Sequence, residues 1–216
     1  MTQIGALRDI VKNHLLVQIQ NGALEVGKTI NLAQLSRDIG ISATPIREAL
    51  SQLAYAGVIK AVRNRGFVIA QLSEKEAKHL YETIAQLEVM ALENSNFSAD
   101  SMERLRRTLH LFDGEKDSGE CLHLRFMFHK LLVQDCSNPI LLQILDNLKL
   151  RLRFYEQGLI QDLSFYAEMN QQNEAILSAI EEDNVPTAAL ILKMNWMTVL
   201  EYVTRKMTSN ETTRFR

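Results

Sequence analysis

The sequence is poor in proline, glycine and cysteine. Three prolines in 216 residues exclude a polyproline or collagen-like chain. Six of the nine glycines precede residue 70, so long unbroken helices are expected mainly after it. Cys121 and Cys136 form no CxxC pair and are too few for a disulfide framework. Two free thiols suit a reducing cytoplasm, which is the expected location. A bilayer-spanning helix takes ~20 mostly apolar residues. The longest stretch without Lys, Arg, Asp or Glu, Asn13 to Leu24, is interrupted by His14, Gln18, Gln20 and Asn21. There is also no basic-then-apolar leader pattern, so no membrane partner is expected. Catalytic signatures are missing too: there is no P-loop, no GxGxxG, no GxSxG and no HExxH. Carboxylates are plentiful but are expected on solvated faces, and an enzyme is not expected.

What is present is an ordinary globular composition, 46% hydrophobic and 23% charged, which excludes wholesale disorder. The net charge of −2 hides a split. Residues 1–70 hold eight Lys or Arg against Asp9, Glu25, Asp38 and Glu48, a balance of +4, and the rest of the chain balances at −6. A basic head on an acidic body is the pattern of a head that meets a polyanion. Chance gives such an imbalance often enough that charge alone decides nothing.

Ile4, Leu7, Val11, Leu15 and Ile19 recur at helical spacing, which predicts an amphipathic helix over 4–20 ended by Gly22 and Gly27. Leu32, Leu35 and Ile39 predict a short second helix, broken by Gly40. Ser42 precedes a third, where its hydroxyl is expected to cap backbone N–H groups and Pro45 is tolerated in the first turn. Ile46, Leu50 and Leu53 face inward, while Ala43, Thr44, Arg47 and Ser51 face outward. This is a helix-turn-helix. Gly57 ends it, and the apolar runs Val58–Val62 and Phe67–Ala70 flank Arg63-Asn64-Arg65-Gly66, a hairpin with a cationic tip. A hairpin so placed is a wing, whose tip arginines reach phosphates or the minor groove. The plain alternative is a set of solvated surface arginines.

The run Ser42-Ala43-Thr44-Pro45-Ile46-Arg47-Glu48-Ala49-Leu50, with Leu53, Gly57 and Asn64-Arg65-Gly66, resembles the winged helix-turn-helix of GntR-family transcription regulators. The resemblance covers the whole head. It implies a homodimeric, ligand-responsive protein that binds double-stranded DNA. It also implies DNA contacts from Ser42, Thr44 and Arg47 on the recognition helix and from Arg65 and Gly66 on the wing. Many members have arginine where this chain has Ala43, and often where it has Ala33, so the usual operator sequence does not carry over.

After residue 70 the pattern is all helical. Ser73-Glu74-Lys75-Glu76 opens a helix as a capping box, lined by Ala77, Leu80, Ile84, Leu87 and Ala91 and ending near Asn94. Further helices are expected over about 100–112, 120–135, 139–159, 165–182 and 184–207, with Asn138 and Asn184 as caps and 208–216 frayed. Leu141, Leu145, Leu148, Leu152, Tyr155 and Leu159 form a seam, read as bundle core rather than coiled coil. The expected fold is mostly α: a winged helix-turn-helix over residues 1–70, then an antiparallel all-α bundle of about six helices over 71–216 for effector binding and dimerisation.

Three polar residues interrupt apolar helix faces. His129 lies among Leu122, Phe126 and Val133, Asn173 among Met169, Ile176 and Ile180, and Asn195 among Ala188, Leu192, Val199 and Tyr202. Arg125 sits one turn before His129. Buried polar groups need partners, supplied either by one another and water or by a ligand. The segments around Arg125, Asn173 and Ala188–Asn195 are similar to the FCD effector domain of the FadR-like branch of the same family. Many such domains hold a divalent metal, with one Asp and three His, that often holds a small organic acid. Position by position, the Asp falls on Arg125, the first His is His129, and the other two fall on Asn173 and Asn195. An arginine that many members carry four residues before Glu88 is Ile84 here. No metal and no other cofactor is therefore expected. Arg125 is expected to anchor a small organic acid or phosphate ester directly, with His129, Asn173 and Asn195 around it.

The expected function is a ligand-responsive, homodimeric transcription regulator, more often a repressor in this family. Two alternatives remain: a regulator that has lost its effector, and a small-molecule-binding or catalytic bundle whose head is a protein-interaction module.

Overall fold

The computed structural model describes residues 3–20, 23–25 and 27–214. The chain forms two compact units. The first holds residues 1–72, as far as they are described, with Leu150–Gly158; the second holds Ser73–Lys149 with residues from Leu159 onward.

In the first unit, helix α1 (Gln3–Gln20) buries Val11, Leu15, Leu16 and Ile19, the i, i+4, i+8 face that the spacing predicts. The side chain of Ile4 and the stop at Gly22 lie outside what is described. Helix α2 (Leu32–Ile39) is capped by Asn31, whose side chain accepts from the Gln34 amide, and closed by Gly40 at φ +74°. Only glycine takes that left-handed turn without cost, which lets the next helix start at once. Helix α3 (Ala43–Tyr55) turns Ile46, Ala49, Leu50 and Leu53 into the core. Fully burying such a side chain is worth roughly 1.5–3 kcal/mol, so these few contacts dominate the stability of so small a unit. Phe154 joins the same core and Leu150 packs against it.

Strands β1 (Ile59–Val62) and β2 (Gly66–Ile69) form the hairpin, in antiparallel register from Ile59 opposite Ile69 to Val62 opposite Gly66. The tip turns through Asn64 at φ 63° and Gly66 at φ 78°, closed by the Arg65 amide donating to the Val62 carbonyl at 3.0 Å. Residues 27–30 run along β2, with Gly27 N–H donating to Ile69 and Ile30 N–H to Phe67, an edge that hydrophobic pattern did not disclose.

The second unit is the expected antiparallel helical bundle: α4 (Glu74–Glu93), α5 (Ala99–His110), α6 (Ser118–Val133), α7 (Pro139–Leu159, shared with the first unit), α8 (Leu163–Glu181) and α9 (Val185–Arg214). Helix α4 packs along α9, which also packs along α8, while α6 meets α5 and α8. Starts are set by side-chain caps: Ser98 for α5, Asp117 for α6, Asn138 for α7, Asp162 for α8 and Asn184 for α9. Asp117 and Asp162 begin their helices about two residues earlier than the apolar spacing implies. The fraying expected after 207 is replaced by helical backbone to Arg214. Ser73 and Glu76 close the reciprocal capping box at 3.2 Å in both directions. Ser73→Ala should therefore cost about 1 kcal/mol in urea unfolding followed at the bundle; an unchanged midpoint would show that the box is decorative.

Candidate functional site

Two sites emerge, one in each unit. On the first, Ser42, Thr44 and Arg47 are all exposed, on the side of α3 opposite Ile46 and Leu50. Ser42 occupies the N-cap position, but its hydroxyl makes no capping bond among the described residues, contrary to the sequence expectation. The first amides of α3 and the Ser42 hydroxyl are thus left for an outside acceptor, and a helix N-terminus favours anions. At the wing, Arg63, Arg65 and Gly66 are exposed. Among the described residues, Arg47, Arg63 and Arg65 make no ion pair, whereas Lys12 and Lys28 are paired with Asp9 and Glu25. Ala33 and Ala43 are exposed too.

The second site is buried. Arg125, His129, Asn173 and Asn195 are each 0% exposed. Helix α6 sets Arg125 and His129 one turn apart on one face. The Trp196 ring of α9 joins them: the Arg125 guanidinium lies 4.7 Å from its centroid and the His129 ring 4.5 Å. Asn195 and Asn173 meet across α9 and α8, the Asn195 amide donating to Asn173 Oδ1 at 3.4 Å. The two pairs are linked through α9, where Asn195 and Trp196 are adjacent.

Beneath His129 lies a set of residues that sequence reasoning missed. Glu88 of α4 accepts from His129 Nδ1 at 2.9 Å and from Trp196 Nε1 through one oxygen, and pairs with the Lys149 ammonium of α7 through the other. Lys149 also donates to the His129 carbonyl at 3.2 Å. Burial pushes the Glu88 carboxyl up, but the Lys149 charge and the hydrogen bonds from His129 and Lys149 outweigh it and hold the group below its ordinary range. For His129, burial is the larger influence, and with the Arg125 and Lys149 charges it pulls the imidazole below its ordinary range despite Glu88. The histidine is therefore neutral, and Lys149 carries the charge that balances Glu88. That carboxylates would all sit on solvated faces is corrected here: Glu88 is fully buried, and so is Glu156.

His129 Nε2, Asn173 Nδ2 and Asn195 Oδ1 have no hydrogen-bond partner among the described residues. Such buried polar atoms are costly unless something answers them. One imidazole, two amides and a guanidinium are a poor donor set, and a fixed cation repels a metal. Among the described residues no group of three His, Cys, Asp or Glu stands close enough to bind one.

The head has the build of a DNA-binding winged helix-turn-helix regulator, and comparison with known proteins agrees. Residues 7–69 match the model for bacterial regulatory proteins of the gntR family, and residues 79–195 match the FCD domain. The chain is 32% identical over 151 residues to an uncharacterized HTH-type transcriptional regulator, YdhC of Bacillus subtilis. That alignment covers 66% of each protein, just under two thirds of the relative's length. It is 22% identical to the transcriptional repressor GlaR of Escherichia coli, over 89% of this chain and 93% of that one. The structure of E. coli McbR/YncC superposes with a TM-score of 0.76 at 18% identity, over 93% of this chain and 98% of the other, a likeness of fold. The chain belongs to the GntR family of bacterial transcription regulators, in the group that carries an FCD domain. The relatives it matches are transcription regulators. No described helix is long and apolar enough to cross a membrane.

Proposed function

We propose that the protein is a cytoplasmic repressor that binds a near-palindromic operator as a homodimer and answers to a small organic acid or phosphate ester. The observation behind the DNA half is the set of exposed Ser42, Thr44 and Arg47 together with wing arginines that no acidic side chain neutralises among the described residues. Arg47 reads a base edge from α3, Ser42 and Thr44 hold phosphate, and Arg65 with Gly66 lets the wing approach the backbone. A dimer reads two half-sites about one helical turn apart, because a two-fold in the protein selects a two-fold in the DNA. Arg65→Ala should weaken binding evenly across sequences and lower the log–log salt slope by about 1. An undiminished slope would remove Arg65 from the interface.

The effector half rests on the buried polar set of the bundle. A guanidinium has five N–H donors in a planar fork, suited to a carboxylate or phosphate. Arg125 serves as anchor, with His129, Asn173 and Asn195 completing the shell and no metal between. Sedimentation of the full chain should give twice its 24.6 kDa mass at micromolar concentration. A thermal-shift screen of acids and phosphate esters should find a stabiliser that Arg125→Ala abolishes, in protein holding well under one metal per chain. Stoichiometric zinc, nickel or manganese, or a stabiliser indifferent to Arg125, would contradict this reading.

A further inference from the structure

Helix α7 belongs to both units, and the division falls between Lys149 and Leu150. In the second unit the Lys149 ammonium pairs with Glu88 of α4 and donates to the His129 carbonyl of α6 at 3.2 Å. In the first unit Leu150 packs against the core of the head, and Phe154 is part of that core with Ile46, Leu50 and Leu53 of α3. Arg151 reaches the end of the same helix. Its Cδ lies 3.4 Å, and its Nη1 3.7 Å, from the position that a Cβ on Gly57 would take. These are contact distances, so the arginine lies directly against the turn that follows Ala56, the C-cap of α3. A cation placed there faces the negative end of the helix dipole.

The recognition helix is thus held along its inner face and at its C-terminal end by a helix whose preceding residue is fixed in the bundle. Between the two grips α7 has nowhere to yield. Neither proline nor glycine occurs from Ile140 to Gln157, and helices kink chiefly at such residues. Lys149 and Arg151 are ~3 Å apart along the axis. A stiff element gripped on both sides passes a disturbance on instead of absorbing it.

We infer that α7 is a strut of the DNA-binding head: Arg151 and Phe154 are positioning residues that hold the recognition helix, and Lys149 makes DNA affinity answer to the buried pair with Glu88. They act through α3. The inference rests on α3 as the recognition helix and needs no assumption about what the bundle binds.

The test uses the full-length protein well below its unfolding midpoint. It has two readouts: amide hydrogen exchange of α3 without DNA, and affinity for the genomic fragment that the protein retains most strongly. A merely structural loss speeds exchange of α3 and α5 alike and leaves the affinity of the folded protein unchanged. Arg151→Ala should speed α3 exchange about three- to tenfold, leave α5 unchanged and weaken DNA binding by a similar factor. Arg151→Lys keeps the charge and the apolar stem and should recover most of both. Lys149→Met should speed α3 exchange about threefold or more and weaken DNA binding, although both its polar partners lie in the second unit. Glu88→Gln should act in the same direction, and it decides the matter where Lys149→Met does not fold. The double variant Lys149→Met with Arg151→Ala should bind little worse than the weaker-binding single variant, because both losses run through one strut.

Wild-type α3 exchange, or DNA binding as tight as wild type, in the folded bundle variants overturns the coupling. Losses that multiply in the double variant overturn it too, because independent sites behave so. Wild-type α3 exchange in Arg151→Ala overturns the positioning role. If no genomic fragment is retained, operator recognition fails separately, and the exchange rates alone decide for or against the strut.

Discussion

Glu88→Ala should lower the unfolding free energy of the bundle by about 3–5 kcal/mol, the usual cost of removing one partner of a buried ion pair. The loss strands the Lys149 ammonium, which is 6% exposed, and leaves the His129 and Trp196 N–H groups without their acceptor. Trp196 is the sole tryptophan, so its fluorescence during urea unfolding reports on the bundle without interference from the head. A change under about 1 kcal/mol would mean that the pair is idle. The same cluster sets an acid dependence. His129 stays neutral when folded but takes a proton in the unfolded chain below its ordinary 6.5, so its contribution shrinks as pH falls from there. Glu88 is held below its ordinary 4.5, so a second loss follows as pH drops below 4.5. Both groups make the wild type more stable at the higher pH, and Glu88→Gln should abolish the lower step.

Arg47→Ala should weaken operator binding by about 1–3 kcal/mol, roughly five- to 150-fold, with a smaller loss on scrambled duplex. The reason is placement. Arg47 stands one turn into α3, exposed, with Ile46 fully buried beneath it, so the helix holds its backbone in place while the side chain faces out. A residue that reads a base edge costs specificity when removed, whereas one that meets phosphate costs affinity everywhere. Equal losses on both duplexes would move Arg47 to the phosphate class. No loss on either would remove α3 from the groove.

The head was legible because its signals are local. Val11, Leu15 and Ile19 sit one turn apart, Gly40 breaks the chain between α2 and α3, and the Arg-Asn-Arg-Gly tip separates two apolar runs. The run of residues 27–30 beside β2 was not legible, because a short edge segment has no periodicity of its own. In the bundle, His129, Asn173 and Asn195 were found as polar breaks in apolar stripes, and all three are buried. Glu88 and Lys149 carried the same signal unread. Glu88 falls between Ile84 and Ala91, and Lys149 between Leu145 and Leu152, at steps of four and three on buried faces. They escaped because charged side chains are ordinarily assigned to solvent, a rule that fails when two opposite charges are buried together. No stripe could say that they meet: Glu88 and Lys149 lie on α4 and α7, and only the packed bundle brings them to His129.

Specific DNA recognition is what separates an operator-binding regulator from a basic head that merely meets a polyanion. Genomic fragments retained by the full-length protein should be recovered, and the strongest compared with a scrambled duplex of equal length by fluorescence anisotropy at one fixed salt concentration. The selected fragment should contain a near-palindrome and bind about a thousandfold tighter or more, the ordinary margin of a sequence-specific regulator over its non-specific binding. Binding of the two duplexes within about threefold of each other would contradict operator recognition, because charge alone would then explain the affinity.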